Sequence, residues 1–135
     1  MKRNNLLLVI TSLLSILFMT FHATSDVLHA KPPNPEAGGS TLVAVPILVV
    51  WLYGTLLLAE RRSGQIIMLI GGVITLGMPI VHAMGPTGYF TGYMANRTYA
   101  FTYIWGLHVL GVLGLFLIIL AIRAMRGMRK VAGSS

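Results

Sequence analysis

The stretch LLLVITSLLSILFMTFHATSDVLH, residues 6–29, decides how this chain folds. Its first sixteen residues carry no charge, and its polar end holds His22, Asp26 and His29. A membrane-spanning helix needs about 20 predominantly apolar residues. A helix that continues through His29 is long enough to cross a bilayer with its polar end at the interface. The stretch therefore predicts a transmembrane helix.

The same stretch has a second interpretation, a cleaved secretory signal. It follows the basic residues Lys2 and Arg3, and the small residues at 23–25 suit a cut site. The apolar region of a signal has only about 7–15 residues, however, and Leu28 opposes a cut after Ala30. We therefore predict an uncleaved span.

The composition of the 135-residue chain excludes a water-soluble domain. Charged residues make up 10% of the chain and hydrophobic residues 56%, whereas soluble domains average about 25% charged residues. A soluble domain of this size leaves roughly a third of its surface in water, so lipid must cover the apolar excess. The chain has no cysteine, which excludes disulfides, thiolate metal sites and cysteine nucleophiles.

Three more apolar segments complete a predicted all-α fold, a four-helix transmembrane bundle that forms a single membrane domain over residues 1–135. The predicted spans are 6–29, 42–59, 66–84 and 102–122. The proline- and glycine-containing linker 31–40 is predicted to be non-helical. The short connection 60–65 makes the second and third spans antiparallel neighbours, and Gly71, Gly72 and Gly77 predict a close approach to another helix.

The basic residues predict the orientation. One side of the membrane receives eight of them, and the other side receives only Lys31 and Arg97; the eight are Lys2, Arg3, Arg61, Arg62, Arg123, Arg126, Arg129 and Lys130. Positive charge stays cytoplasmic, so both termini and the basic tail 123–135 are predicted to be cytoplasmic. These charges flank apolar runs and form no separate basic domain, so the net charge of +7 does not indicate nucleic acid. The predicted partner is the lipid bilayer, with other membrane subunits as candidates.

Histidine and aspartate give the chain its main candidate site. With alternating helix directions, all four histidines fall in the outer half of the bundle. On the first helix, one narrow stripe contains Thr11, Ser15, His22, Asp26 and His29. A polar stripe on a lipid-buried helix must face other helices or a wet cavity. A bundle could bring His82 of the third span and His108 of the fourth to Asp26.

Several kinds of chemistry suit these residues. The candidate metal ligands are His22, Asp26, His29, His82 and His108, because imidazoles and a carboxylate hold first-row transition metals. Two histidines on different helices can also ligate a haem iron, and an aspartate beside a histidine can relay protons. The simplest alternative binds nothing: Asp26 pairs with a histidine along its own helix, and His108 bonds a neighbouring carbonyl.

The sequence favours a non-enzymatic role. It contains no nucleophile with a base, no glycine-rich phosphate loop and no pair of acid and base carboxylates. The first interpretation is therefore a multi-span membrane protein with a polar His/Asp network at the outer-leaflet end of the bundle. The alternatives are a haem- or metal-binding redox module and a small transporter or proton path. A path is disfavoured by the aliphatic inner halves of the second and fourth spans.

The segment VVWLYGTLLLAERRSGQIIMLIGGVITLGMPIVH, residues 49–82, together with the preceding His/Asp stretch, resembles a group of small bacterial four-span integral membrane proteins. The resemblance implies a four-helix membrane fold and a place in the bacterial inner membrane. It carries no activity to this chain.

Overall fold

The structure, a computed structural model, describes residues 3–29, 35–84 and 97–132, and all of them but a four-residue connection are helical. The four helices are α1 (Arg3–His29), α2 (Pro35–Leu57), α3 (Arg62–Met84) and α4 (Arg97–Ala132). The all-α prediction is confirmed for this part of the chain. The predicted loop that follows α3 falls mostly on residues outside the described ones.

All four helices are longer than the predicted spans. Helices α1, α3 and α4 begin three, four and five residues early, at Arg3, Arg62 and Arg97. The largest extensions are those at the start of α2 and the end of α4. Helix α2 begins at Pro35, inside the linker that was predicted to be non-helical. Proline is tolerated there because the first turn of a helix needs no backbone donor from it. Helix α4 extends through the basic tail to Ala132, since residues 123–132 contain good helix formers and no proline.

The helices form an antiparallel bundle. Helix α3 packs against α4, α1 packs against both α4 and α2, and α2 packs against α3. One buried cluster joins the start of α1, the end of α2, the start of α3 and the second half of α4; it includes Leu8, Ala59, Met68, Leu117 and Ala121. We call this the termini end of the bundle. The opposite end is formed by the last turns of α1 and α3 and the first turns of α4.

The inward-facing residues of the long helices repeat at alternating spacings of four and three. On α4 the buried residues are Tyr103, Leu107, Leu110, Gly111, Gly114, Leu117, Ala121 and Ala124, and all but Gly111 follow this spacing. On α1 they are Leu8, Ser12, Ser15, Met19 and His22. This average period of 3.5 residues keeps one stripe of each helix against its neighbours, as in left-handed coiled coils. Polar residues of α1 therefore face the bundle, as the polar stripe predicted, with Ser12 added to it.

Glycine permits the closest helix contact, between α3 and α4. A Cβ atom on Gly114 would lie 2.6 Å from the Leu76 nitrogen and 2.7 Å from the Gly72 carbonyl oxygen. The two backbones touch here, as small residues allow in membrane helices. Gly71 and Gly72 make the predicted close approaches, with Trp51 packed on Gly71. A Cβ atom on Gly77 would meet nothing within 4 Å, so that residue plays no such part.

A closed set of hydrogen bonds joins α1 to α2. The Trp51 Nε1–H donates to Ser12 Oγ at 2.8 Å, and the Thr55 hydroxyl donates to the Trp51 carbonyl at 2.9 Å. Ser12 and Thr55 oxygens lie 2.7 Å apart. Because Thr55 already uses its only hydrogen, Ser12 is the donor in that contact. We call these three residues the Ser12 network.

The outer surface of the bundle is apolar on all four helices. Exposed large side chains include Phe21, Val43, Leu57, Val73 and Phe101, which are 57–72% exposed. Among the described residues, three helical segments are long and apolar enough to cross a membrane: Asn5–Val27, Arg62–Ala83 and Phe101–Met128. Helix α2 contributes a shorter apolar segment, Val43–Leu57. The chain is therefore a multi-pass membrane protein, and the fourth span remains a prediction.

Candidate functional site

Four polar side chains from three helices meet at the end of the bundle opposite the termini end. Helix α1 provides His22 and Asp26, which are four residues apart and therefore lie on one face. Helix α3 provides His82, and α4 provides Tyr103. We call this group the His–Asp cluster. All four residues continue the inward-facing stripes of their helices.

The Asp26 carboxylate lies at the centre of the cluster. Its Oδ2 atom is 3.3 Å from His22 Nε2 and 3.9 Å from His82 Nε2. Its Oδ1 atom accepts a hydrogen bond of 3.1 Å from the Tyr103 hydroxyl. One ligand atom each from His22, Asp26 and His82 lies within 4.8 Å of the other two. The carboxylate thus presents one oxygen to Tyr103 and the other to two imidazoles.

The backbone of α3 fixes the protonation of the His82 ring. His82 Nδ1 lies 2.9 Å from the Met78 carbonyl oxygen. A carbonyl can only accept, so Nδ1 carries the hydrogen of this bond. In the neutral ring Nε2 then has a lone pair, and this atom faces the Asp26 carboxylate. Two electron-rich atoms face each other stably only when a cation, either a proton on Nε2 or a metal ion, lies between them.

His22 is the most deeply buried member of the cluster. Its side chain is 7% exposed, against 25% for His82 and 36% for Asp26. Its Nε2 atom is buried, and no described residue hydrogen-bonds to it, because the 3.3 Å contact with Asp26 lacks hydrogen-bond geometry. A buried polar atom without a partner costs about 1–3 kcal/mol. A bound ion at this atom would remove that cost.

The packing of the rings argues against haem. The centroids of His22 and His82 are 4.7 Å apart, and the rings meet edge to face at 79°. Tyr103 packs beside them, with its centroid 5.2 Å from that of His22. Axial haem ligands stand on opposite faces of the macrocycle, so a porphyrin would have to pass between the two imidazoles. Rings in direct contact leave no space for it.

The structure gathers three of the five predicted metal ligands: His22, Asp26 and His82. His108 is not part of this group. Its ring is exposed, and Nδ1 lies 2.8 Å from the Ile104 carbonyl, the own-helix bond that the sequence offered as an alternative. His108 points away from the cluster because Leu107 faces inward, and each following residue is rotated by about 100° around the helix axis. His29 is the last residue of α1, and its side chain is not among those that the structure describes.

Sequence reasoning missed Tyr103, the Asp26 partner on α4. It instead expected His108 to turn inward, and that residue is exposed. The spacing of Tyr103, Leu107 and Leu110 was the available signal, because it continues the inward stripe of α4. Hydrophobicity could not reveal that stripe, since the lipid-facing positions of α4 are equally apolar.

A cleft adjoins the cluster between α1 and α4. Its volume is about 350 Å³. Aromatic side chains form much of its wall, and His22 and Tyr103 belong to both the cleft and the cluster. Two of the four cluster residues therefore border the cleft.

Comparisons of the chain with models of protein families, with curated proteins and with solved structures found no match. The resemblance to small bacterial four-span proteins is therefore supported only as an all-α, four-helix protein with three long apolar helices.

Proposed function

We propose that this multi-pass membrane protein binds a divalent transition-metal ion, with Zn²⁺ the best fit, through His22, Asp26 and His82. The observation that carries the proposal is the buried His22 Nε2 atom, which makes no hydrogen bond to the described residues and lies 3.3 Å from a carboxylate oxygen. A metal ion supplies what both atoms need. An imidazole nitrogen and a carboxylate oxygen are ordinary Zn²⁺ ligands.

The three ligand atoms lie within 4.8 Å of one another, and one pair already has the spacing that a tetrahedral ion requires. Zn²⁺ bonds of about 2.0–2.1 Å place the ligands of a tetrahedral site roughly 3.3 Å apart. His22 Nε2 and Asp26 Oδ2 already have that separation. His82 Nε2, 3.9 Å from the same oxygen, must approach by about 0.6 Å. Three protein ligands leave the fourth position open for water or another ligand.

The groups that hydrogen-bond to the proposed ligands, which we call the groups behind the ligands, favour metal binding as well. Metal-bound histidines usually donate their other N–H to a carbonyl or carboxylate, and ligating carboxylates are themselves hydrogen-bonded. His82 Nδ1 donates to the Met78 carbonyl, and Tyr103 donates to Asp26. These contacts hold His82 Nε2 and Asp26 Oδ2 toward a common point. A carboxylate within an apolar helix is also costly without a countercharge.

Direct titration tests the proposal. The purified protein, stripped of metal with a chelator in detergent, is titrated with Co²⁺, whose visible absorption reports tetrahedral coordination, and then with Zn²⁺ in competition. We expect one ion per chain. His82→Gln should lower the affinity at least about tenfold, since even groups behind the ligands contribute 10–100-fold. His108→Gln, the same exchange at an exposed histidine of the same end, should leave the affinity unchanged.

The opposite results contradict the proposal. If no ion binds in stoichiometric amount, or if the two glutamine variants behave alike, the His22–Asp26–His82 group is not a metal site. The cluster would then be a polar network that joins three helices and carries a proton between Asp26 and His82.

We also propose that the cluster faces the outside of the cell. Exposed arginines collect at the termini end, namely Arg61, Arg62, Arg123 and Arg126, and positive charge is retained in the cytoplasm. The chain has no native cysteine, so single cysteines report orientation directly. A membrane-impermeant maleimide added to intact cells should label Gly92→Cys, beyond α3, and spare Ser63→Cys, at the exposed start of α3. The reverse pattern would overturn the orientation.

A further inference from the structure

The cleft between α1 and α4 is shaped by aromatic side chains within the membrane-spanning segments. Phe18, Phe21 and Trp105 line it, and Phe21 and Trp105 are 64% and 62% exposed at its edge. These residues belong to segments apolar enough to cross the bilayer. A molecule that enters therefore comes from the lipid phase. The volume of about 350 Å³ is within the usual range of small-molecule sites.

One wall of the cleft is left open by a glycine. Gly106 lines the cleft, and a Cβ atom built on it would meet nothing within 4 Å. The space is therefore not needed for contact between α1 and α4. A larger side chain at this position would therefore start in open space beside the cleft.

The cleft is apolar but not entirely so. The imidazole of His22 and the ring of Tyr103 lie in its lining, and the two ring centroids are 5.2 Å apart. Apolar sites that contain a few convergent polar groups select ligands that carry a matching polar atom. Lipid acyl chains have no such atom, whereas a flat ring with an oxygen substituent can stack on aromatic walls and accept a hydrogen bond.

We propose that this cleft binds a membrane-dissolved ring compound that carries hydrogen-bonding oxygens, of the quinone or phenol class. The inference goes beyond the metal site and does not require an ion. It needs only the cleft, its aromatic walls and the His22 imidazole as the hydrogen-bond donor, because the only hydrogen of the Tyr103 hydroxyl is donated to Asp26.

Tryptophan fluorescence tests the proposal in metal-free protein, so that its outcome is separate from that of the metal titration. The probe is duroquinone, a quencher, and the matched competitor is durene, the same tetramethylated ring without oxygens. Trp105 lines the cleft, whereas Trp51 is buried in the Ser12 network. We expect saturable quenching in the native chain and its loss in Trp105→Phe. Durene should compete at least about tenfold more weakly, as the loss of a hydrogen-bonding oxygen predicts.

Filling the cleft provides the second arm. Gly106→Leu should abolish saturable quenching, and Gly77→Leu is the matched control, because its added side chain also starts in open space but lies outside the cleft. Circular dichroism checks that both variants retain their helices. Equal quenching of the two leucine variants would overturn the proposal. Equal competition by durene and duroquinone would also overturn it, because the cleft would then be an apolar groove for lipid chains. The durene competition uses the native chain, so it decides the matter even if Gly106→Leu fails to fold.

Discussion

Helix α1 carries one polar group in each half, and the two groups differ in how completely their hydrogen bonds are satisfied. In the Ser12 network, Ser12 and Thr55 are fully buried and Trp51 is 2% exposed. Three contacts of 2.7–2.9 Å use the hydrogens of all three side chains. In the His–Asp cluster the contacts to Asp26 are longer, 3.1–3.9 Å, and His22 Nε2 has no hydrogen-bond partner among the described residues.

The difference separates a structural contact from a binding site. The Ser12 network is neutral and complete, so a ligand has nothing to gain there, and its effect is to hold α1 against α2. The His–Asp cluster contains a carboxylate and two imidazoles, and in the neutral His82 ring no hydrogen lies between Nε2 and the carboxylate. It is also partly exposed and adjoins a cleft. Unsatisfied and accessible polar groups are those that a ligand can stabilise.

The largest expected effect is that of Asp26→Asn on metal affinity. The amide removes the negative charge and one strong ligand, so we expect Zn²⁺ affinity to fall by more than about 100-fold, beyond the 10–100-fold typical of groups behind the ligands. Asparagine can still accept the hydrogen bond from Tyr103, so the thermal unfolding midpoint of the metal-free protein should change little. Competition against Co²⁺ measures the affinity, and unchanged binding would remove Asp26 from the site.

A smaller effect is expected for Ser12→Ala, and it should fall on stability alone. The change leaves the buried Trp51 N–H without its acceptor and Thr55 without its donor. We expect a loss of about 1–2 kcal/mol in the free energy of unfolding, near the upper range for hydrogen bonds between membrane helices. Zn²⁺ affinity should not change.

Ser15→Ala is the matched control for that prediction. Ser15 is equally buried on the same helix, but its hydroxyl bonds only the Thr11 carbonyl of α1. Its loss should cost under about 0.5 kcal/mol, since such bonds do not join helices. Unfolding in detergent, followed by circular dichroism, compares the two variants. Equal losses would show that the Ser12 network contributes nothing beyond burial.

Among the changes within the His–Asp cluster, Tyr103→Phe should have the smallest effect on Zn²⁺ affinity, and it tests how well the second carboxylate oxygen is held. The ring packing against His22 and His82 is retained, and only the hydroxyl that donates to Asp26 is lost. We expect Zn²⁺ affinity to fall about tenfold with one ion still bound per chain, as for other groups behind metal ligands. A change in stoichiometry would instead make Tyr103 a ligand.

Part of the candidate site was predictable because helix geometry is local. His22 and Asp26 are four residues apart, so any helix places them on one face, and their position in an apolar helix requires partners. The partners themselves were only half predictable. His82 and His108 both lie near the same end of the bundle. His82 continues the inward-facing stripe of α3, which consists of Gln65, Met68, Gly72, Thr75 and Pro79. His108 lies one residue away from the inward-facing stripe of α4.

The sequence by itself determined that the protein lies in lipid, that it forms four helices and that one face of α1 is polar. These features depend on the length of each apolar segment and on the 3.6-residue period of the helix, which both act within a single segment. Only the tertiary structure decided which faces of α3 and α4 turn toward that polar face. In lipid, the inner and outer faces of a helix are equally apolar, so hydrophobicity does not distinguish them. The choice is made by close packing, such as that of Gly72 against Gly114, and this packing brings His82 and Tyr103 to Asp26 and leaves His108 on the surface.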